Sequence, residues 1–186
     1  MFDSPLQKTI EPLIHTFNKL DPERREKIAK LSDYVQRRIA QGEPARLNFI
    51  CTHNSRRSHI AQIWAWAAAR YYGIEPVETY SGGTEVTAFN PRAVAALVRA
   101  GFKIAPTTAT ANPVYHVRIH DHDRPQSAFS KVYTDAPNPQ TSYCAVLTCA
   151  QVDQACPVVS GASARVSLSY DDPKAADDTQ IGRAHV

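Results

Sequence analysis

The first 45 residues carry apolar side chains at helical spacing and predict two helices. The first apolar stripe runs over residues 6–17. Asp21-Pro22-Glu23 then supplies an N-cap, a proline at the first helical position and an acidic first turn, and a second stripe follows over residues 28–39. An apolar stripe is usually a packing surface, so we expect these helices to pack or to dimerise rather than to catalyse.

From residue 46 the pattern changes to short apolar strands that alternate with helices. The predicted strands are 47–50, 77–81, 144–148 and 165–170, and the predicted helices are 58–72 and 91–100. This alternation predicts an α/β fold: a three-layer open parallel sheet with helices on both faces, preceded by the N-terminal helical extension.

Two segments depart from that alternation. Residues 114–119 and 128–133 flank the polar sequence HDHDRPQ and predict a strand hairpin. After the strand over 165–170, an open α/β sheet needs a covering helix, which the following residues do not supply. We therefore expect one face of the sheet to be left uncovered and to expose apolar surface.

Length and charge narrow the class of protein. We divide the 186 residues into an extension, 1–45, and one domain, 46–179. The net charge of +3 predicts no nucleic-acid partner, and no apolar run approaches the roughly 20 residues of a membrane span. We expect a cytoplasmic protein whose four cysteines are thiols.

The last seven residues, QIGRAHV, match a translated sequencing-library adapter, so we exclude 180–186 from the fold.

The sequence CTHNSRRS at 51–58 lies between a predicted strand and a predicted helix, where open parallel sheets bind ligands. Backbone N–H groups and the helix dipole at such a place favour an anion and a thiolate. Arg57 can return across the loop to hold two oxygens of a tetrahedral anion, and Ser58 can donate to the Cys51 sulfur. The candidate oxyanion-binding residues are Thr52, His53, Asn54, Ser55, Arg56, Arg57 and Ser58.

This cysteine, five residues, an arginine and a serine resemble the phosphate loop of the low-molecular-weight protein tyrosine phosphatase superfamily, which includes the thioredoxin-coupled arsenate reductases. YSGGTE at 80–85 and NPRA at 90–93 resemble the segment after the family's second strand. Asp171-Asp172-Pro173 resembles its acid loop, so the resemblance covers about residues 46–174. The N-terminal helices have no counterpart in the minimal family fold.

The resemblance implies a role for each matching residue. Cys51 would be the nucleophile, Arg57 the oxyanion clamp and Asp172 the general acid, with Asn54 and Ser58 organising the loop. Two positions depart from the family. His53 stands where many relatives have a smaller or apolar residue. Gln62 stands where some reductases have a glutamate associated with a potassium site, so the resemblance does not carry bound potassium over.

Two further cysteines favour a reductase over a phosphatase. Arsenate reduction needs one thiol to attack the Cys51 sulfur and another to pass the disulfide outward. Cys149 and Cys156, seven residues apart, resemble the cysteines of the thioredoxin-coupled arsenate reductases. In an intact helix these two would lie about 10 Å apart, whereas a disulfide tolerates about 4.4 to 6.8 Å between Cα atoms. Closing the pair would unwind the segment and carry it towards a surface that thioredoxin reaches. The alternative is that Cys149 only ends a core strand and Cys156 is incidental.

We therefore predict a thiol-dependent arsenate reductase without a tightly bound cofactor, with thioredoxin or a comparable thiol reductant as co-substrate. The rivals are a phosphatase acting on phosphotyrosine or a small phosphate ester, and a non-catalytic oxyanion-binding module that uses the N-terminal helices as a partner surface or for homo-oligomers. Cys144 is assigned to the core. We predict no metal site, since no close cysteine pair is present and the HDHD sequence suits a solvated hairpin tip.

Overall fold

The computed structural model describes residues 5–155, 158–177 and 179. Cys156 and the sequence assigned to an adapter, 180–186, lie outside the described residues. The helices are α1 (Pro5–Ile14), α2 (Pro22–Ala40), α3 (Arg57–Tyr71), α4 (Pro91–Ala100) and α5 (Ala150–Ala155), with short 3-10 helices at Phe17–Lys19 and Pro173–Ala176. The strands are β1 (Ala45–Cys51), β2 (Val77–Gly83), β3 (Lys103–Pro106), β4 (Tyr115–Arg118), β5 (Gln126–Ala128), β6 (Tyr143–Leu147) and β7 (Ala162–Ser167).

The central sheet has four parallel strands in the order β2-β1-β6-β7. Side chains alternate between its two faces along each strand. Leu47 and Phe49 of β1 pack on one face with side chains of α2 and α3, whereas Ile50 belongs to the cluster on the other face that includes Val152 of α5. The predicted α/β fold, with helices on both faces of a parallel sheet, is confirmed.

The expectation of an uncovered sheet face is wrong for β1, β6 and β7, because α2 covers them, whereas an apolar cleft stays open between α2 and α3 over Leu47 and Val77. Tyr34 of α2 is buried against a cluster that includes Phe49, Val166 and Leu168. Asp21 caps the helix as predicted, since its carboxylate accepts a hydrogen bond from the backbone N–H of Arg24 at 2.7 Å. The N-terminal extension thus supplies the layer that we expected from a helix after β7.

The predicted hairpin is found, but its second arm was placed too late in the chain, because β5 begins at Gln126 and shares only Ala128 with the predicted arm. β4 and β5 pair antiparallel across the polar turn, and β3, which the pattern did not predict, adds a third strand beside β4. The second arm ends at Ala128 rather than at residue 133. Beyond it the chain turns back to the main sheet, where Val132 makes a parallel bridge with Gly83. The pattern missed β3 because its four residues are too few to show a period.

Helix α1 docks on α4 through its apolar stripe. Leu6 and Ile10 are buried in a cluster that also holds Leu97 of α4. Gly101 ends α4 in the left-handed conformation, and a Cβ atom there would lie 2.4 Å from the backbone nitrogen of Leu6. Glycine therefore serves both the helix end and the close approach of α1. Among the described residues, no helix is long and apolar enough to cross a membrane.

The docking of α1 predicts different outcomes for two leucines of the same helix. Leu6→Ala should lower the free energy of unfolding by about 3 kcal/mol, because Leu6 is fully buried. Leu13 is 42% exposed, so Leu13→Ala is the matched control and should change that free energy by no more than about 0.5 kcal/mol. Urea unfolding of both variants measures the difference, and equal effects would mean that α1 does not dock.

Candidate oxyanion site

The oxyanion loop, residues 51–58, joins the end of β1 to the first turn of α3 at the carboxyl edge of the sheet. Cys51 is 3% exposed, and its sulfur lies 3.1 Å from the Ser58 hydroxyl oxygen. The side-chain amide of Asn54 donates to the same hydroxyl oxygen at 2.8 Å. Ser58 therefore accepts from Asn54 and is free to donate its hydroxyl hydrogen to a Cys51 thiolate.

Asn54 fixes the turn of the loop. Its backbone is left-handed, with φ of 44°, a conformation that asparagine tolerates better than most residues. Its side-chain oxygen accepts a hydrogen bond from the backbone N–H of Lys131 at 3.0 Å. The same side chain thus ties the loop to α3 through Ser58 and to the chain after β5 through Lys131.

The segment after β2, which carries the residues of the resemblance at 80–85, packs against the loop. The backbone N–H groups of Thr84 and Glu85 donate to the carbonyl oxygens of Cys51 and Thr52 at 3.2 and 2.8 Å. A Cβ atom on Gly83 would lie 2.6 Å from the Thr52 carbonyl oxygen and 2.7 Å from the Asn54 nitrogen. Glycine is required at this position because the two backbones are in contact.

A cleft of about 300 Å³ opens beside the loop. Its lining residues are Cys51, His53, Ser55, Arg56, Arg57, Thr87, Asn90, Asp172 and Lys174. Of the eight loop residues, Thr52, Asn54 and Ser58 do not line the cleft and instead contact neighbouring parts of the fold. The lining includes three cationic side chains, Arg56, Arg57 and Lys174, and one carboxylate, Asp172, a balance of charge that suits a small anion.

Arg57 is positioned beside the predicted acid residue. Its guanidinium donates to the Tyr170 carbonyl oxygen at 3.1 Å and to the Asp172 carboxylate at 3.2 Å. The Arg57 side chain is 11% exposed, whereas that of Asp172 is 49% exposed. The structure therefore brings the predicted nucleophile, clamp and acid to one cleft, in which Arg57 contacts the Asp172 carboxylate.

A second ion pair on the rim was not foreseen from the sequence. Arg56 donates two hydrogen bonds to Asp177, at 2.9 and 2.6 Å, and Arg92 of α4 approaches the same carboxylate at 3.2 Å. The bidentate hydrogen bonds from Arg56 are the main reason why the pKa of Asp177 lies below its usual range. Asp177 directly follows the 3-10 helix Pro173–Ala176, so this pair joins the chain after Asp172 to the loop.

Cys149 lies next to the oxyanion loop. It is fully buried between β6 and α5, and its sulfur lies 3.6 Å from the Thr52 hydroxyl oxygen. Ile50 pairs with Leu147, the last residue of β6, so the chain leaves β6 beside the end of β1. Cys51 and Cys149 belong to the same buried cluster at this edge of the sheet.

Other candidate residues have structural partners. Cys144 is buried in β6, and burial raises the pKa of its thiol to about 12. At the hairpin tip, Asp121 pairs with Lys103 at 2.5 Å and Asp123 with Arg70 at 3.2 Å. Within the described ranges, no cluster of three potential metal ligands occurs.

The position associated with potassium in some relatives has a different donor set here. Gln62 is buried and donates to the Thr79 carbonyl oxygen at 3.1 Å. Gln62 and Lys131 both line a second cleft, separate from the oxyanion cleft. Lys131 is 4% exposed, and burial lowers the pKa of its ammonium to about 8. A neutral amide beside a buried lysine does not fit a bound potassium ion, since nothing in this pair supplies negative charge.

Comparison with known families agrees with this geometry. The sequence model of the family described as low molecular weight phosphotyrosine protein phosphatase matches residues 46–123, which include the oxyanion loop and the segment after β2. Residues 46–123 are thus similar to the low-molecular-weight protein tyrosine phosphatases, and the curated relatives described next are arsenate reductases.

The curated relatives are named arsenate reductases. Arsenate reductase 2 of Staphylococcus epidermidis is 28% identical over 125 residues, which are 67% of this chain and 76% of that protein. The arsenate reductase of Halalkalibacterium halodurans is 28% identical over 131 residues, 70% of this chain and 76% of that protein. Among solved structures, a thioredoxin-dependent arsenate reductase of Corynebacterium glutamicum is 20% identical, with a TM-score of 0.40 over 90% of this chain and 84% of that one.

The site predicts selective and anion-sensitive alkylation of Cys51. At neutral pH, iodoacetamide should modify Cys51, which lines the open cleft, and should leave Cys144 unmodified in the native protein because its thiol stays protonated. Phosphate or arsenate should slow the modification of Cys51. Peptide mass spectrometry measures both sites, and labelling of Cys51 at the rate of Cys144, unaffected by phosphate, would contradict a thiolate site for anions.

Proposed function

We propose that this protein reduces arsenate to arsenite by thiol chemistry at Cys51. The observation that carries the proposal is the burial of Cys149 beside the oxyanion loop, in contact with Thr52. A phosphatase of the same superfamily has no use for a second thiol there, because water completes its reaction. The curated relatives named arsenate reductase support the same choice.

In the first step, the Cys51 thiolate attacks the arsenic atom of arsenate. Arg57 holds two oxygens of the anion, which requires that its guanidinium exchange the Asp172 carboxylate for the substrate. Asp172, at the open side of the cleft, gives its proton to the departing hydroxide, which leaves as water. The product is a covalent adduct in which arsenic is still pentavalent.

In the second step, the Cys149 thiolate attacks the Cys51 sulfur. The sulfur–arsenic bond breaks, its electron pair stays with arsenic, and arsenite leaves with arsenic in the trivalent state. The two thiols are oxidised to a Cys51–Cys149 disulfide. The burial of both sulfurs in one cluster, with Cys149 in contact with Thr52 next to Cys51, supports this pairing.

In the third step, Cys156 attacks the Cys149 sulfur and releases Cys51 as a thiol. A thiol reductant, thioredoxin or a comparable protein, then reduces the Cys149–Cys156 disulfide. Cys149 precedes α5 and Ala155 ends it, so the six-residue helix separates the two cysteines. Its shortness supports a segment that rearranges when the disulfide forms.

Substitution of Cys149 separates the two chemistries that share Cys51. Cys149→Ser should stop arsenate turnover after one covalent event per chain, because no thiol resolves the adduct. Any hydrolysis of an aryl phosphate should persist. The matched control is Cys144→Ser, a buried cysteine of the preceding strand, which should retain turnover. Arsenite release in the presence of thioredoxin and thioredoxin reductase measures the effect.

The outcomes of that experiment assign the function. Full arsenate turnover by Cys149→Ser and by Cys156→Ser would exclude this cysteine relay. A parent protein that hydrolyses aryl phosphates but reduces no arsenate would be a phosphatase. A parent protein without either activity, whose Cys51 is nevertheless protected by phosphate, would be an oxyanion-binding module.

Arg57→Lys tests the two-point contact with the anion. Lysine keeps the charge but cannot place two parallel N–H donors on one oxyanion, so arsenate turnover should fall on the order of 100-fold. Cys51→Ser, the reference for complete loss, should show no activity. Steady-state kinetics of both variants measure the arsenate turnover. A turnover of Arg57→Lys within about twofold of the parent would contradict the mechanism, because that free-energy difference is below that of one ordinary hydrogen bond.

A further inference from the structure

The acid segment, residues 169–177, carries Asp172 across the oxyanion site but has little contact with the core of the domain. Its first residues extend the ladder beside β6, where the Tyr170 N–H donates to the Thr148 carbonyl oxygen at 3.2 Å. Asp172 caps the 3-10 helix Pro173–Ala176 by accepting from the Lys174 N–H at 2.9 Å. Its half-exposed side chain depends on what holds the segment at either end.

The upstream end is held by the N-terminal extension. Arg24, in the first turn of α2, donates to the Ser169 carbonyl oxygen at 2.8 Å. Its guanidinium carbon lies 4.2 Å from the centroid of the Tyr170 ring, the stacked geometry that favours arginine over lysine. The carbonyl oxygen of the same Tyr170 accepts from Arg57. A single residue of the acid segment thus contacts both α2 and the oxyanion clamp.

The downstream end is held by the loop itself. Asp177 accepts two hydrogen bonds from Arg56 and faces Arg92. Five positions separate Asp172 from Asp177, so the acid residue lies between one attachment to α2 and another to the oxyanion loop. An arrangement fastened at both ends restricts where the carboxylate of Asp172 can move relative to Cys51 and Arg57.

We propose that Arg24 is a positioning residue, through which helix α2 of the N-terminal extension holds the acid segment over the oxyanion site, with Asp177 as the opposite attachment. This inference rests on the proposed function for its catalytic consequence. It assigns to the extension a role in catalysis besides covering the sheet. Arg24 acts only through the segment that carries Asp172 and does not touch the anion.

The first test measures attachment and does not depend on activity. Hydrogen exchange of peptides that cover residues 165–177 should be faster in Arg24→Ala and in Asp177→Asn than in the parent. The matched control is Lys30→Ala on the same helix, because Lys30 pairs only locally with Glu26, and it should leave these peptides unchanged. Unaltered exchange in Arg24→Ala would overturn the proposal, whatever the protein catalyses.

The second test is a double-mutant cycle on arsenate turnover. Arg24→Ala should lower kcat on the order of tenfold, by misplacing the acid group, while arsenate still protects Cys51 from alkylation at the parent concentration. In an Asp172→Asn background the same substitution should have almost no further effect, because the group that it positions is already inactive. Arg24→Lys should recover part of the loss through its remaining hydrogen bond.

The outcomes separate this inference from the proposed function. Equal fold losses from Arg24→Ala in the parent and in Asp172→Asn would mean that Arg24 only stabilises the fold, and would overturn its positioning role. Faster exchange with unchanged kcat would also overturn it. A parent protein that reduces no arsenate would refute the proposed function, while the exchange experiment would still decide whether α2 holds the segment.

Discussion

The oxyanion loop closes because Asn54 holds a left-handed backbone conformation. For a residue with a Cβ atom this conformation costs roughly 1 to 2 kcal/mol, and the side-chain hydrogen bonds of Asn54 to Ser58 and to the Lys131 N–H offset that cost. The turn brings the N-terminus of α3 behind the Cys51 sulfur and returns Arg57 to the cleft. The thiol, the serine beside it and the clamp all depend on this one conformation.

Around that loop, the fold combines a four-stranded parallel sheet with the N-terminal helical extension. The parallel order of β1 and β6 sets Cys149 beside the loop, because adjacent strands in register end at the same edge of the sheet. Helix α2 covers the face formed by β1, β6 and β7 and reaches the acid segment through Arg24. The packing that stabilises the sheet and the contact that orders the site therefore come from the same helix.

Local patterns in the sequence predicted the elements whose signals are local. The Asp21 cap, the Pro91 start and the Gly101 end of α4, and the strand before Cys51 are all found where the pattern set them. The pattern did not reveal which surface the apolar stripe of α2 covers, since an amphipathic helix fits any apolar face of suitable width. It also missed the Arg56–Asp177 pair, because the two residues are 121 positions apart and surface charges carry no period.

The central claim is that Cys51 and Cys149 supply both electrons for the reduction of one arsenate. It is tested most directly by a single turnover without external reductant, in which a Cys156→Ser chain is mixed with excess arsenate. We expect one arsenite released per chain and a Cys51–Cys149 disulfide in the non-reduced peptide map. Arsenite release without that disulfide, or the disulfide without arsenite, would contradict it.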